Sequence, residues 1–276
     1  MAPRPWGPAR PSPLRLNTFL HNRVIGAPPS LTPTADRPAA LSAAAPLLTL
    51  AIGGGATRSR ESLLPLGGAV LVALPVFLQA PWVRLAPFSA ALFTAPLLLM
   101  ALLLERRRGA AWQQAGALLV GFCGSWLGGC LFWGWFRLHP LWHLPLEAFA
   151  LPLALGGLRG RWRLASSFYL ASLLGTACTD AVMAGTGVMG RWIDVLQAPL
   201  DQAPQLLQEA ALLVLQPLQL TITLVAAIGL TALCRRLWHH PDPGWRLAAS
   251  ALATTLAVDG LFLAAALWAP QLSGLI

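Results

Sequence analysis

From residue 62 onward, long apolar runs alternate with short polar interruptions. The runs cover roughly 63–80, 86–104, 112–136, 141–158, 164–188, 209–234 and 247–269. Most of them approach or pass the ~18–20 residues that cross a bilayer as a helix. The pattern predicts an all-α fold, a polytopic transmembrane helix bundle of about seven spans. Upstream the pattern is missing. The first 60 residues are rich in Pro, Ala and Arg, with Asp36 their only acid. Such a composition builds no core, so a disordered tail is expected over 1–61 and a transmembrane helical domain over 62–276. The stretch LSAAAPLLTLAIGGGA (41–56) is apolar but short and ends in three glycines. It is not counted as a span.

Composition sharpens this reading. The chain of 276 residues is 56% hydrophobic and only 11% charged, with a mean hydropathy of +0.63. A water-soluble domain carries about a quarter charged residues, so this chain cannot cover itself with polar groups in water. The net charge of +9 would point to nucleic acid in a soluble protein. Here its distribution points to orientation instead, and no nucleic-acid partner is expected. All 19 basic residues are arginine. With the N-terminus cytoplasmic, 16 of them fall on the inner side and three, Arg84, Arg137 and Arg191, on the outer. Arginine-rich inner loops set the orientation of membrane proteins. The tryptophans agree. Trp82, Trp133, Trp135, Trp142, Trp192 and Trp268 fall near the outer boundary, and Trp112, Trp162, Trp238 and Trp245 near the inner one, as in an aromatic belt.

Chemistry concentrates in RLHPLWHLPLE (137–147), between two strongly apolar stretches. Span four follows it, is short at about 17 residues for a crossing, and contains Pro145 and Pro152. His139, His143 and Glu147 are spaced i, i+4, i+8, which a regular helix lines up in one stripe. Prolines free backbone carbonyls near that stripe. Short, proline-broken spans mark binding sites in transporters. Asp180 in span five, Asp259 in span seven and the group Gln216, Pro217 and Gln219 in span six add polar positions. An ionised carboxylate at a helix centre costs on the order of 2.5–3.5 kcal/mol on insertion scales, so these residues are expected inside the bundle with partners. Arg137 is the expected ion partner of Glu147 or Asp180. The bland alternatives are that the histidines sit at the interface like the neighbouring tryptophans and that the carboxylates only lock helices together.

Other signals are weaker. WVRLAP (82–87) and WFRLHP (135–140) share W-x-R-L-x-P, either a duplicated hairpin or the common demands of two interfaces. Gly124 and Gly128 form a GxxxG face suited to close helix packing. Cys123, Cys130, Cys178 and Cys234 show neither a CxxC pair nor zinc-site spacing, and read as small buried hydrophobes. His139/His143 and His239/His240 lie on opposite sides of the membrane, which separates them by ~30 Å of hydrocarbon. The metal and cofactor content is left open. No phosphate-binding glycine loop, GxSxG or HExxH occurs, and an enzyme is not expected.

The segments PVFLQAPWVRLAPFS (75–89) and FWGWFRLHPLWHLPLEAFALPLAL (132–155) resemble an uncharacterised family of cyanobacterial integral membrane proteins, a domain of unknown function, over roughly residues 65–270. The resemblance implies a photosynthetic host, hence a thylakoid or plasma membrane, and supplies no activity or catalytic residues. Two functions are therefore expected in competition. One is a small transporter or permease-like protein with a polar cavity open to the non-cytoplasmic side, lined by Arg137, His139, His143, Glu147, Asp180 and Asp259. The other is a non-catalytic assembly or scaffold subunit of a photosynthetic membrane complex, with other subunits as partners besides the lipid bilayer.

The arginine distribution generates the first prediction. Topology reporters inserted at Gly160 and fused after Ile276 should read opposite sides of the membrane, Gly160 on the cytoplasmic side. Two signals from one side would show an even number of crossings between the two points where three are expected.

Overall fold

The protein is described from a computed structural model over residues 63–199 and 201–273. The expected tail over 1–61 and the apolar stretch 41–56 lie outside the described residues. Among the described residues there are helices and no strands. Six of the helices are long and apolar enough to cross a membrane: α1 (Leu63–Leu85), α2 (Pro87–Glu105), α3 (Ala110–Phe136), α6 (Arg163–Thr186), α9 (Pro217–Trp238) and α10 (Pro243–Trp268). This makes an integral membrane location the physical consequence of the sequence. Between α3 and α6 lies a broken segment. It comprises a 3-10 turn (Pro140–Trp142), α4 (His143–Glu147), a second 3-10 turn (Ala148–Ala150) and α5 (Leu151–Gly157). Between α6 and α9 lie α7 (Val188–Gln197) and α8 (Ala203–Val214).

Helix ends follow local chemistry. Asp242 caps α10, accepting the Gly244 N–H at 2.7 Å, with Pro243 in the first turn where its missing N–H is not needed. α6 stops at Gly187, whose φ of 78° is left-handed. The two W-x-R-L-x-P motifs end their helices alike. Ala86 (φ −150°, ψ 72°) and His139 (φ −123°, ψ 75°) both leave the helical region immediately before a proline, whose ring disfavours helix in the residue ahead of it. One sequence boundary moves for a similar reason. Gln216 is extended and Pro217 opens α9, so the sixth expected span begins at 217 rather than 209, and Gln216, Pro217 and Gln219 start a helix instead of interrupting one. The apolar residues 210–214, after Glu209, belong to α8.

Helix α3 is the axis of the bundle. Of its most apolar stretch 61% is buried, against 11–28% for the other five long helices. Its small residues admit the neighbours' backbones. A Cβ on Gly116 would lie 2.4 Å from the Glu105 nitrogen of α2, and one on Gly121 would lie 2.4 Å from the Ala165 carbonyl of α6. Between these faces Trp126 is 2% exposed. Its indole N–H donates to the Ala90 carbonyl at 2.9 Å, and its ring meets Trp82, Phe93 and Phe122 at 5.7–6.1 Å. Edge and tilted contacts of this kind add specificity to the area they bury.

The pairings fix the course of the chain. Gly121 faces Ala165 and Phe122 meets Phe168, while further along Gly124 faces Tyr169. So α3 and α6 run parallel, and both start at the end where Glu105 approaches Arg161 at 3.9 Å and Arg163 pairs with Asp242. The chain between two parallel helices must return along their whole length. The broken segment does this: Gly128 lies against Glu147, Gly124 against Ala150 and Gly157 against Ser166. As helix, eighteen residues reach about 27 Å, close to a hydrocarbon thickness of ~30 Å. Among the described residues, six continuous helices and one broken return thus come close to the expected count of about seven.

Gly121→Ala should lower the thermal stability of the detergent-solubilised protein, by about 1–3 kcal/mol, because overpacked interiors distort neighbouring backbone. Gly156→Ala, whose Cβ meets nothing within 4 Å, should be neutral or stabilising by ~0.5–1 kcal/mol. Equal effects of the two changes would contradict the packing described.

Candidate functional site

Three titratable groups meet where the broken segment passes α6. His143 opens α4 and Glu147 closes it, one turn apart on one face. Pro145 sits between them in the first turn, where it removes no intrahelical hydrogen bond. Asp180 comes from α6. His143 Nδ1 lies 3.0 Å from Asp180 Oδ1 and its Nε2 lies 3.3 Å from Glu147 Oε1. The three side chains are 19%, 14% and 16% exposed, so this imidazole lies between two carboxylates with little water. The Phe132 ring stacks on it at 4.1 Å, with Trp133 edge-on at 6.4 Å and Trp192 of α7 behind Trp133 at 5.8 Å.

Hydroxyl groups of α6 complete the cluster. Thr176 Oγ1 donates to Glu147 Oε2 at 2.8 Å. Thr179 Oγ1 donates to Asp259 Oδ2 of α10 at 2.6 Å. Since Thr179 and Asp180 are consecutive, α6 carries polar contacts from Glu147 to Asp259. Tyr169, the only tyrosine of the chain, closes the gap between α4 and α5. Its hydroxyl donates to the Glu147 carbonyl and accepts the Ala150 N–H. Both backbone groups belong to the break in the helix, and the hydroxyl buttresses the 3-10 turn there, at a depth where hydrocarbon offers backbone groups no partners.

The sequence-predicted residues separate into two sets. His143, Glu147 and Asp180 come together, and Asp259 joins through Thr179. Arg137 and His139 do not join. Both are exposed, and among the described residues Arg137 enters no ion pair. The partner of both carboxylates is His143. The physical reason is local. A π turn over Phe132–Phe136 and a 3-10 turn from Pro140 replace the regular helix that a single stripe through 139, 143 and 147 requires. Gly124 and Gly128 are turned to the same place: a Cβ on Gly128 would lie 2.9 Å from Glu147 Cα, and one on Gly124 2.9 Å from the Tyr169 ring. The sequence reading missed Tyr169, Thr176 and Thr179. A lone tyrosine and two threonines, one a turn before an intramembrane aspartate and one beside it, were the signals available.

Chemically, the cluster can hold and pass a proton. A neutral imidazole has one N–H and serves one carboxylate, whereas an imidazolium serves both at once. Among the described residues, no three His, Cys, Asp or Glu side chains are arranged to hold a metal. The four cysteines are free. Cys130 accepts a hydrogen bond from the buried Gln79 at 2.9 Å. Two cavities, of about 420 and 250 Å³, lie at the arginine-rich end and not beside the carboxylates.

Residues 68–267 match the model of a family described as a protein of unknown function, DUF3120. The chain belongs to that family, which bears out the resemblance to an uncharacterised domain, and the match runs from α1 into the last turn of α10, taking in the whole cluster. No curated protein and no solved structure matches the chain.

His143→Ala should strongly destabilise the protein in a thermal or denaturant assay, by about 3–5 kcal/mol, since it strands two partly buried carboxylates. Adding Glu147→Gln and Asp180→Asn to that variant should restore part of the loss. Arg137→Gln should change stability by no more than ~0.5 kcal/mol, the usual range for an exposed substitution. A large loss from Arg137→Gln with a small one from His143→Ala would reverse the pairing.

Proposed function

We propose that this protein is a small proton-coupled permease and that His143, Glu147 and Asp180 form its proton-exchange site. The observation that carries the reading is the imidazole 3.0 and 3.3 Å from two carboxylates in a broken membrane passage. Ionisable groups are costly in hydrocarbon, and where they occur inside a bundle they mark proton relays and ion paths. Broken helices at mid-depth are where secondary transporters place substrate and coupling ions. In this mechanism a proton entering from the side of His139 and Trp142 is taken up by the triad. With the proton the imidazole bridges Glu147 and Asp180. When the proton leaves, the neutral ring serves one carboxylate, the bridge between α4 and α6 is lost and the broken segment is free to shift, and Thr179 links the event to Asp259 on α10.

A second reading is favoured by a different observation. Glu147 is already fully engaged, Oε1 by His143 and Oε2 by Thr176. A carboxylate so paired requires no ligand, as in an assembly or scaffold subunit of a membrane complex, photosynthetic in the host that the resemblance suggests, whose ionic groups serve only to fix helix register.

Charge movement separates the two. Proteoliposomes of the full chain adsorbed on a solid-supported membrane should give a transient current on a pH jump. Glu147→Gln and Asp180→Asn should abolish it while retaining the monodisperse elution of the wild type. A wild-type sample that is folded and gives no more current than empty liposomes would overturn the permease reading in favour of the scaffold.

A further inference from the structure

The larger cavity, of about 420 Å³, lies between the end of α9 and the first half of α10. Its two parts differ in chemistry. The mouth carries Arg235, Trp238 and His239 in the last turn of α9 and just beyond it, all exposed. The floor runs along Ala249, Ala253 and Ala257, one face of α10 extending about 12 Å toward the middle of the helix. Small side chains there leave a groove open to the bilayer.

The charge at the mouth is not neutralised. Among the described residues neither Arg235 nor Arg236 enters an ion pair. The nearest acid in the connecting turn, Asp242, is committed on both oxygens, to the Gly244 N–H and to Arg163. The carbonyl end of α9 is a weak negative pole, and two arginines in its last turn outweigh it. A cationic, tryptophan-bearing mouth above an apolar groove matches an amphiphile with an anionic head. Basic pockets between helices on the arginine-rich side of membrane proteins hold anionic lipid headgroups, and tryptophan favours the headgroup level.

We propose that this cavity binds one anionic phospholipid from the leaflet on the arginine-rich side. The phosphate accepts hydrogen bonds from the Arg235 guanidinium and the His239 ring N–H. Trp238 lies at the glycerol level, and the upper part of one acyl chain follows the exposed Ala253 and Ala257 while the rest stays in the bilayer. The site is at the end of the bundle opposite His139 and stands independently of the proton-exchange reading.

The test uses the full chain in mild detergent, titrated with phosphatidylglycerol or phosphatidylcholine and read by native mass spectrometry. Wild type should retain one phosphatidylglycerol in preference to phosphatidylcholine. Arg235→Gln should weaken phosphatidylglycerol about fivefold, the weight of one basic residue at an anionic headgroup, and Arg235→Gln with His239→Gln should remove the preference. Ala253→Leu fills the groove at an exposed position, should fold normally, and should weaken both lipids. Arg108→Gln, at the same end but outside the cavity, should change nothing. Equal retention of the two lipids by wild type would overturn the proposal. So would an effect of Arg108→Gln as large as that of Arg235→Gln, which would mean diffuse surface charge. A wild-type dimer free of lipid and dissociated by Ala253→Leu would make the groove a protein interface and equally refute lipid binding.

Discussion

A backbone that leaves the helix inside a membrane must have its N–H and C=O groups satisfied by the protein, because hydrocarbon supplies no partners. The fourth passage imposes this constraint on the whole bundle. It changes from 3-10 to α to 3-10 to α within 18 residues, from Pro140 to Gly157. The Tyr169 hydroxyl takes up the Glu147 carbonyl and the Ala150 N–H. To hold the tyrosine there, α6 must lie against the break, and to hold the break, α3 must present no side chain opposite it. Gly124 and Gly128 meet that second requirement and bring Glu147 within van der Waals reach of the central helix. The parallel run of α3 and α6 follows, since only a full return passage connects two helices that start at the same end.

The same geometry creates the ionic cluster. A continuous helix would have carried His139, His143 and Glu147 along one stripe at three depths. The broken one keeps only His143 and Glu147 together, pressed toward Asp180 by the Phe132 ring. Burial and pairing then reinforce each other. Two carboxylates so near one another repel, and a shared imidazole is the compact way to offset that with both ring nitrogens engaged. The Thr176 hydroxyl occupies the second carboxylate oxygen of Glu147 and the Thr179 hydroxyl one oxygen of Asp259, so α6 holds polar partners on both of its neighbours.

Much of this was legible in the chain, for reasons of length and polarity. Apolar runs of bilayer length announce helices whatever their packing, which is why the long helices fall close to the expected runs. The break was visible as Pro145 and Pro152 in a short span. Identities of partners were less legible. Arg137 is the obvious counter-charge by type, yet the π turn over Phe132–Phe136 carries it to the surface. His139 leaves the stripe because a proline follows it. Tyr169, Thr176 and Thr179 look like tolerated polar residues in an apolar run, since their value depends on a neighbour 22 to 80 positions away. The boundary near 217 was blurred because the apolar end of α8 runs into the apolar start of α9 with only Leu215 and Gln216 between.

The central claim is that one imidazole holds two carboxylates from separate elements inside the bundle. Solid-state NMR on protein in lipid bilayers, with nitrogen-15 in histidine and carbon-13 in the Asp and Glu carboxyl groups, addresses it directly. His143 is assigned by its disappearance in a His143 variant. The account predicts that both of its ring nitrogens are dipolar-coupled to a carboxyl carbon, one signal vanishing in Glu147→Gln with unlabelled glutamine and the other in Asp180→Asn with unlabelled asparagine. A His143 ring coupled to neither carboxyl and exchanging freely with water would contradict it.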